Sequence, residues 1–154
     1  NDMIDATIYY HGNAPTVNGS AIGDGLNNGT SGSWGNQVTW SLSESFAAYE
    51  WWPCKQSLKD KADSVSVKIT VPNTCKAGSN GMLENVVDLG NGTSRYEWMH
   101  RHPIDYYLIS VAVAEYVEYN ISANPAGALV KVPPAKPVIV GVGSASPKQY
   151  EAAP

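Results

Sequence analysis

Charge is scarce in this chain of 154 residues: 16% are Asp, Glu, Lys or Arg, and the ten basic ones form no cluster. With a formal net charge of -4 and a pI near 5.2, nothing is arranged to displace counterions from phosphates, which argues against nucleic acid as a main partner. Long apolar runs are missing as well. None approaches the ~18 residues a membrane helix needs, so no membrane span is expected. Cysteine is limited to Cys54 and Cys75. Two thiols allow one disulfide in an oxidising compartment or a buried free thiol at Cys54, and sequence leaves both open; their spacing makes no metal site. Signatures of reaction chemistry are absent too. The chain has no Gly-x-Ser-x-Gly elbow for a serine nucleophile, no Gly-Lys-Ser/Thr phosphate cradle and no His-Glu-x-x-His metal site.

What is abundant is turn chemistry and aromatic rings: 14 Gly, 10 Pro, nine Tyr and five Trp. Short strands recur between turns without a convincing helix, which predicts an all-β domain, a β-sandwich or saddle-like body of mainly antiparallel strands. Residues 6–11 read as a strand with Ile8 and Tyr10 on one face, and 12–36 as a long loop. Residues 37–42 alternate on Val38, Trp40 and Leu42; residues 43–64 lack periodicity and are expected to wrap a sheet edge. Val65, Val67, Ile69 and Val71 alternate with polar residues and stop at Pro72. Two strand-like runs, 83–89 and 94–100, flank Gly90-Asn91-Gly92 and predict a hairpin. Residues 106–119 read as one long central strand, bent near its middle. The length suits a single domain, placed at residues 1–128, with 129–154 a Pro-rich linker or an extra strand. The chain opens without Met and runs at once into a strand pattern, which reads as a fragment. The composition suits an extracytoplasmic protein, and Asn-x-Ser/Thr sequons begin at Asn18, Asn28, Asn91 and Asn120, most of them explicable by chance in so Asn- and Ser-rich a chain.

Several motifs fall in an ordered series. Trp52-Pro53-Cys54 is followed by Lys61-Ala62, by the strand ending at Pro72, by Ala77-Gly78-Ser79-Asn80-Gly81 and by the run from Pro103 to Tyr116. The series resembles the N-terminal β domain of aminopeptidase N-type zinc metallopeptidases, the gluzincins, and most closely its versions from Bacteroidetes bacteria. The resemblance implies a β-sandwich saddle beside a thermolysin-like catalytic domain, zinc in that absent domain and no cofactor in this chain. It places Glu44 where the family binds the free α-amino group of a peptide, a task suited to a carboxylate; Leu42 replaces the polar residue that usually accompanies it. Tyr49, Gln56 and Leu58 also depart from the family pattern. Gly81-Met82-Leu83-Glu84-Asn85 looks like the family's substrate-binding Gly-x-Met-Glu-Asn but lies in the β region and reads as the start of a strand.

The expected role is therefore that of a non-catalytic β domain that shapes a peptide-binding cleft. Tyr49, Trp51 and Trp52 are expected to dock on the catalytic domain, and unpaired sheet edges to permit self-association. A second class stays open: a secreted β-sandwich carbohydrate-binding or adhesion module, with Trp34, Trp40, Trp51, Trp52 and Tyr49 as a sugar platform, against their filling the core and rim. His100 and His102, two apart, face one way on a strand and with His11 or Asp105 form the only other candidate metal cluster, weighed against ordinary strand-end histidines.

Overall fold

The computed structural model describes residues 4–13, 25–120 and 138–141. The strands are β1 (Leu26–Thr30), β2 (Gln37–Ser41), β3 (Lys61–Ala62), β4 (Val65–Pro72), β5 (Lys76–Ser79) and β6 (Met82–Asp88), then β7 (Thr93–His100), β8 (Ile104–Asp105), β9 (Val111–Ala114), β10 (Val117–Asn120) and β11 (Val138–Gly141). Helix among the described residues amounts to two 3-10 turns, Ala48–Glu50 and Tyr106–Leu108. The protein is all-β and sandwich-like.

One sheet runs in the order β1-β2-β9-β5 and the other β4-β7-β6, both antiparallel throughout, with β3 and β8 as a short clip at one side. Period-two sequence explains β4, whose Val65, Val67, Ile69 and Val71 are half-buried or buried while Ser66, Lys68 and Thr70 are exposed. The core between the sheets is built on Val71, Ala77 and Tyr96, with Ile69, Cys75, Trp98 and Val113 packed around them. Trp98 settles its one polar atom by donating Nε1–H to the Ala77 carbonyl at 3.0 Å, which ties β7 to β5.

The β6–β7 hairpin forms as its sequence predicts: Gly90 and Gly92 adopt φ of 72° and 83°, and the Asp88 and Asn91 carboxyl and amide oxygens accept backbone N–H groups within the turn. Met82 begins β6, as read from the Gly81–Asn85 segment. A bulge between Leu83 and Asn85 shifts the register.

Three sequence expectations are corrected. Residues 6–11 form no strand; the alternation is present, yet among the described residues no strand lies alongside to accept its hydrogen bonds, and Ile8, Tyr9 and Tyr10 are exposed. The segment read as a loop over 12–36 contains β1, whose Leu-Asn-Asn-Gly-Thr has poor strand propensity but pairs with β2 in full register; residues 14–24 of that loop lie outside the described residues. The long strand expected over 106–119 is divided into a 3-10 turn, β9 and β10. Asn80 is the cause of the first break, since its amide captures the Leu108 carbonyl at 3.0 Å and the Ser110 N–H at 2.6 Å, groups a continuous ladder would use. The second break is a turn in which Tyr116 N–H reaches the Ala114 carbonyl at 2.8 Å. Of the region 129–154, only β11 is described, paired in parallel with β10.

Candidate docking and ligand site

After β2 the chain turns at residues 43–47 and enters the 3-10 turn at Ala48–Glu50. This segment is pinned from several sides. Buried Ser43 accepts the Trp51 Nε1–H at 2.9 Å, and the Tyr106 hydroxyl donates to the Ser45 carbonyl. Glu50 Oε2 accepts the Gly25 N–H at 2.6 Å, while the Gly25 carbonyl receives the Leu42 N–H at 3.1 Å. Only glycine fits at Gly25, because a Cβ there would stand 1.9 Å from the Ala47 carbonyl oxygen. The segment is thus a fixed shelf on the end of β1 and β2.

Glu44 lies in this turn with its side chain exposed, and half-buried Leu42 precedes it. Tyr49 is 62% exposed, whereas Trp51 and Trp52 are half-buried, their rings 6.2 Å apart and crossed at 62°. Trp52 Nε1 is buried without a hydrogen-bond partner among the described residues. Tyr49, Glu50, Trp51 and Trp52 line an open cleft of about 440 Å³ together with Tyr10 and His11 of the N-terminal segment. The structure therefore brings together the three aromatic residues singled out in the sequence, while Glu44 stands on the same shelf but does not line the cleft.

Sequence reading passed over Glu50 and the N-terminal residues that line the cleft. Glu50 adjoins Trp51 and carries a charge among aromatic neighbours, which was the available signal; those residues had none, because their closeness to Trp51 is wholly tertiary.

Cys54 and Cys75 are free thiols, both half-buried, and burial pushes the Cys54 thiol up from its ordinary value. They occupy different settings: Cys75 packs on the central core, and Cys54 follows the tryptophan pair. His100 and His102 have ring centroids 6.0 Å apart at 76°, and no group of three His, Cys, Asp or Glu side chains among the described residues is placed to hold a metal. The residues described do not fit a zinc site.

The motif residues also hold one another. Lys61 on β3 pairs with buried Asp105 on β8 at 2.9 Å, and that hydrogen bond and charge raise the Lys61 pKa. Asn80, at the corner between β5 and β6, holds the 108–110 backbone, and Ser79 Oγ donates to the Ser110 carbonyl at 2.7 Å.

No protein-family model and no curated protein matches the chain. Solved structures of M1 zinc metallopeptidases do, at low identity and over part of their length. A variant enzyme from Deinococcus radiodurans superposes with a TM-score of 0.54 and 22% identity, over 73% of this chain and 28% of that one. A two-domain M1 zinc metallopeptidase bound to L-tryptophan gives 0.49 and 21%, over 68% and 27%. A Deinococcus radiodurans M1 variant bound to a Tyr-Ser-Ala substrate gives 0.47 and 26%, over 56% and 19%. The first of these establishes a likeness of fold. This chain spans between 19% and 28% of the length of the three.

Proposed function

We propose that the chain is a non-catalytic β domain of an aminopeptidase N-type zinc metallopeptidase, of the Bacteroidetes-like kind, in which residues 1–128 wall the peptide cleft of a catalytic domain encoded elsewhere in the parent protein. The observation that carries this reading is the cross-linking of the motif series: Lys61 bonds Asp105 and Asn80 bonds Leu108 and Ser110, so residues scattered along the chain act as one structural unit. The fold likeness supports it. Glu44 presents its carboxylate toward the substrate ammonium, and exposed Tyr49 with the Trp51–Trp52 pair abuts the catalytic domain. Zinc belongs to that domain, and the assembled protein works outside the cytoplasm.

The test uses the parent protein. Glu44→Gln in the full enzyme raises KM for peptides with a free amino terminus several-fold and leaves kcat nearly unchanged, the pattern of lost ground-state binding. With the two domains produced as separate polypeptides, Tyr49→Ala weakens their co-purification. Release of amino acids from an aminoacyl reporter by this chain alone, or a parent reading frame lacking His-Glu-x-x-His, overturns the proposal.

A further inference from the structure

The cleft between segments 10–13 and 49–53 has a composition that docking does not account for. Its volume, about 440 Å³, falls within the ~300–1,000 Å³ typical of small-molecule sites. Aromatic residues of both segments line it: Tyr10 of the first, Tyr49, Trp51 and Trp52 of the second. The one carboxylate among the lining residues is that of Glu50, and the backbone N–H of Gly25 fixes it in place at 2.6 Å. A fixed anion and several aromatic rings lining one cleft are the chemistry that recognises an organic cation, because a ring face attracts positive charge within about 6 Å of its centroid.

A sugar is the competing ligand for such a surface, and ring geometry separates the two. Pyranose stacking wants a flat platform, which indoles crossed at 62° do not provide. A compact cation has no plane to match, so crossed rings do not disfavour it. The formal net charge of -4 adds a weak field of the correct sign. His11 opposes it: its ring lies on the same cleft and repels a cation when protonated.

We infer that this cleft binds a small organic cation of the substituted-ammonium class, held by the Trp51, Trp52, Tyr49 and Tyr10 rings and by the Glu50 carboxylate. The inference goes beyond the docking role and does not rest on it, since the lining residues all belong to this chain.

Titration of the purified chain with choline and with tetramethylammonium chloride, followed by tryptophan fluorescence and calorimetry, tests it. The neutral isostere 3,3-dimethyl-1-butanol and methyl β-glucoside serve as controls. Expected is saturable binding of both cations and none of either control at equal concentration. Trp52→Ala and Glu50→Gln each weaken binding about three- to tenfold. Unchanged circular dichroism in Glu50→Gln, which keeps an acceptor for Gly25, separates loss of the site from loss of the fold. Binding of the isostere as strongly as choline, preferential binding of the glucoside, or no cation binding by the folded chain overturns the inference. Failure of Tyr49→Ala to disturb domain association bears on docking alone and leaves the cation result standing.

Discussion

At the scale of single residues, two glycines with nearly the same φ separate two physical effects. Gly81 and Gly92 have φ of 88° and 83°, but a Cβ at Gly81 would stand 2.1 Å from the Met99 carbonyl oxygen, whereas at Gly92 it meets nothing within 4 Å. Gly92→Ala therefore bears only the left-handed backbone strain, about 1 kcal/mol, while Gly81→Ala adds displacement of β7 and loses about 3 kcal/mol or more. Urea unfolding of both variants checks the difference. Lys61 supplies a pH signature. Asp105 raises its folded-state pKa above the ordinary 10.5, so its contribution is complete below pH 10.5 and is lost as pH climbs through the raised value. The stability gap between the wild type and Lys61→Gln is thus constant near neutrality and closes in strong alkali, as thermal melts across pH 8 to 12 would record.

Among the elements, the corner at Asn80 decides the topology on both of its sides. Asn80→Ala leaves the Ser110 N–H and the Leu108 carbonyl without their partner and is expected to cost about 2 kcal/mol; hydrogen exchange should show the Ser110 amide losing protection before the β4–β7 ladder does. The same corner explains how much of the architecture was legible. β4 and the β6–β7 hairpin were readable because period-two burial and Gly-Asn-Gly are local signals. The division of 106–119 was not, because the agent that interrupts it sits some thirty residues earlier. β1 was hidden for a related reason: Asn-Asn-Gly has no strand preference of its own and is held by β2. In the candidate site, the aromatic residues of segment 49–52 announced themselves, but the N-terminal residues that line the same cleft did not.

For the molecule as a whole, β6 stands at the rim of the sandwich. Leu83 and Val86 continue the rows Val67–Trp98 and Ile69–Tyr96, yet they remain 39% and 46% exposed, on a strand whose outer edge is unpaired among the described residues. Apolar side chains beside an open ladder favour association, so light scattering of the isolated chain should give a mass that rises with concentration, and Leu83→Lys with Val86→Lys should hold it monomeric. Steady monomer mass in the unaltered chain counts against this. Sequence alone determined the all-β class, the hairpin and the prominence of residues 49–54, since alternation, glycine turns and aromatic content act over a few neighbouring residues. Tertiary structure alone decided that Lys61 meets Asp105, that Asn80 cuts a strand in two and that Tyr10 and Trp52 line one cleft. Those contacts bring distant segments together, and their stability comes from burial and hydrogen bonds that exist only once the chain has closed on itself.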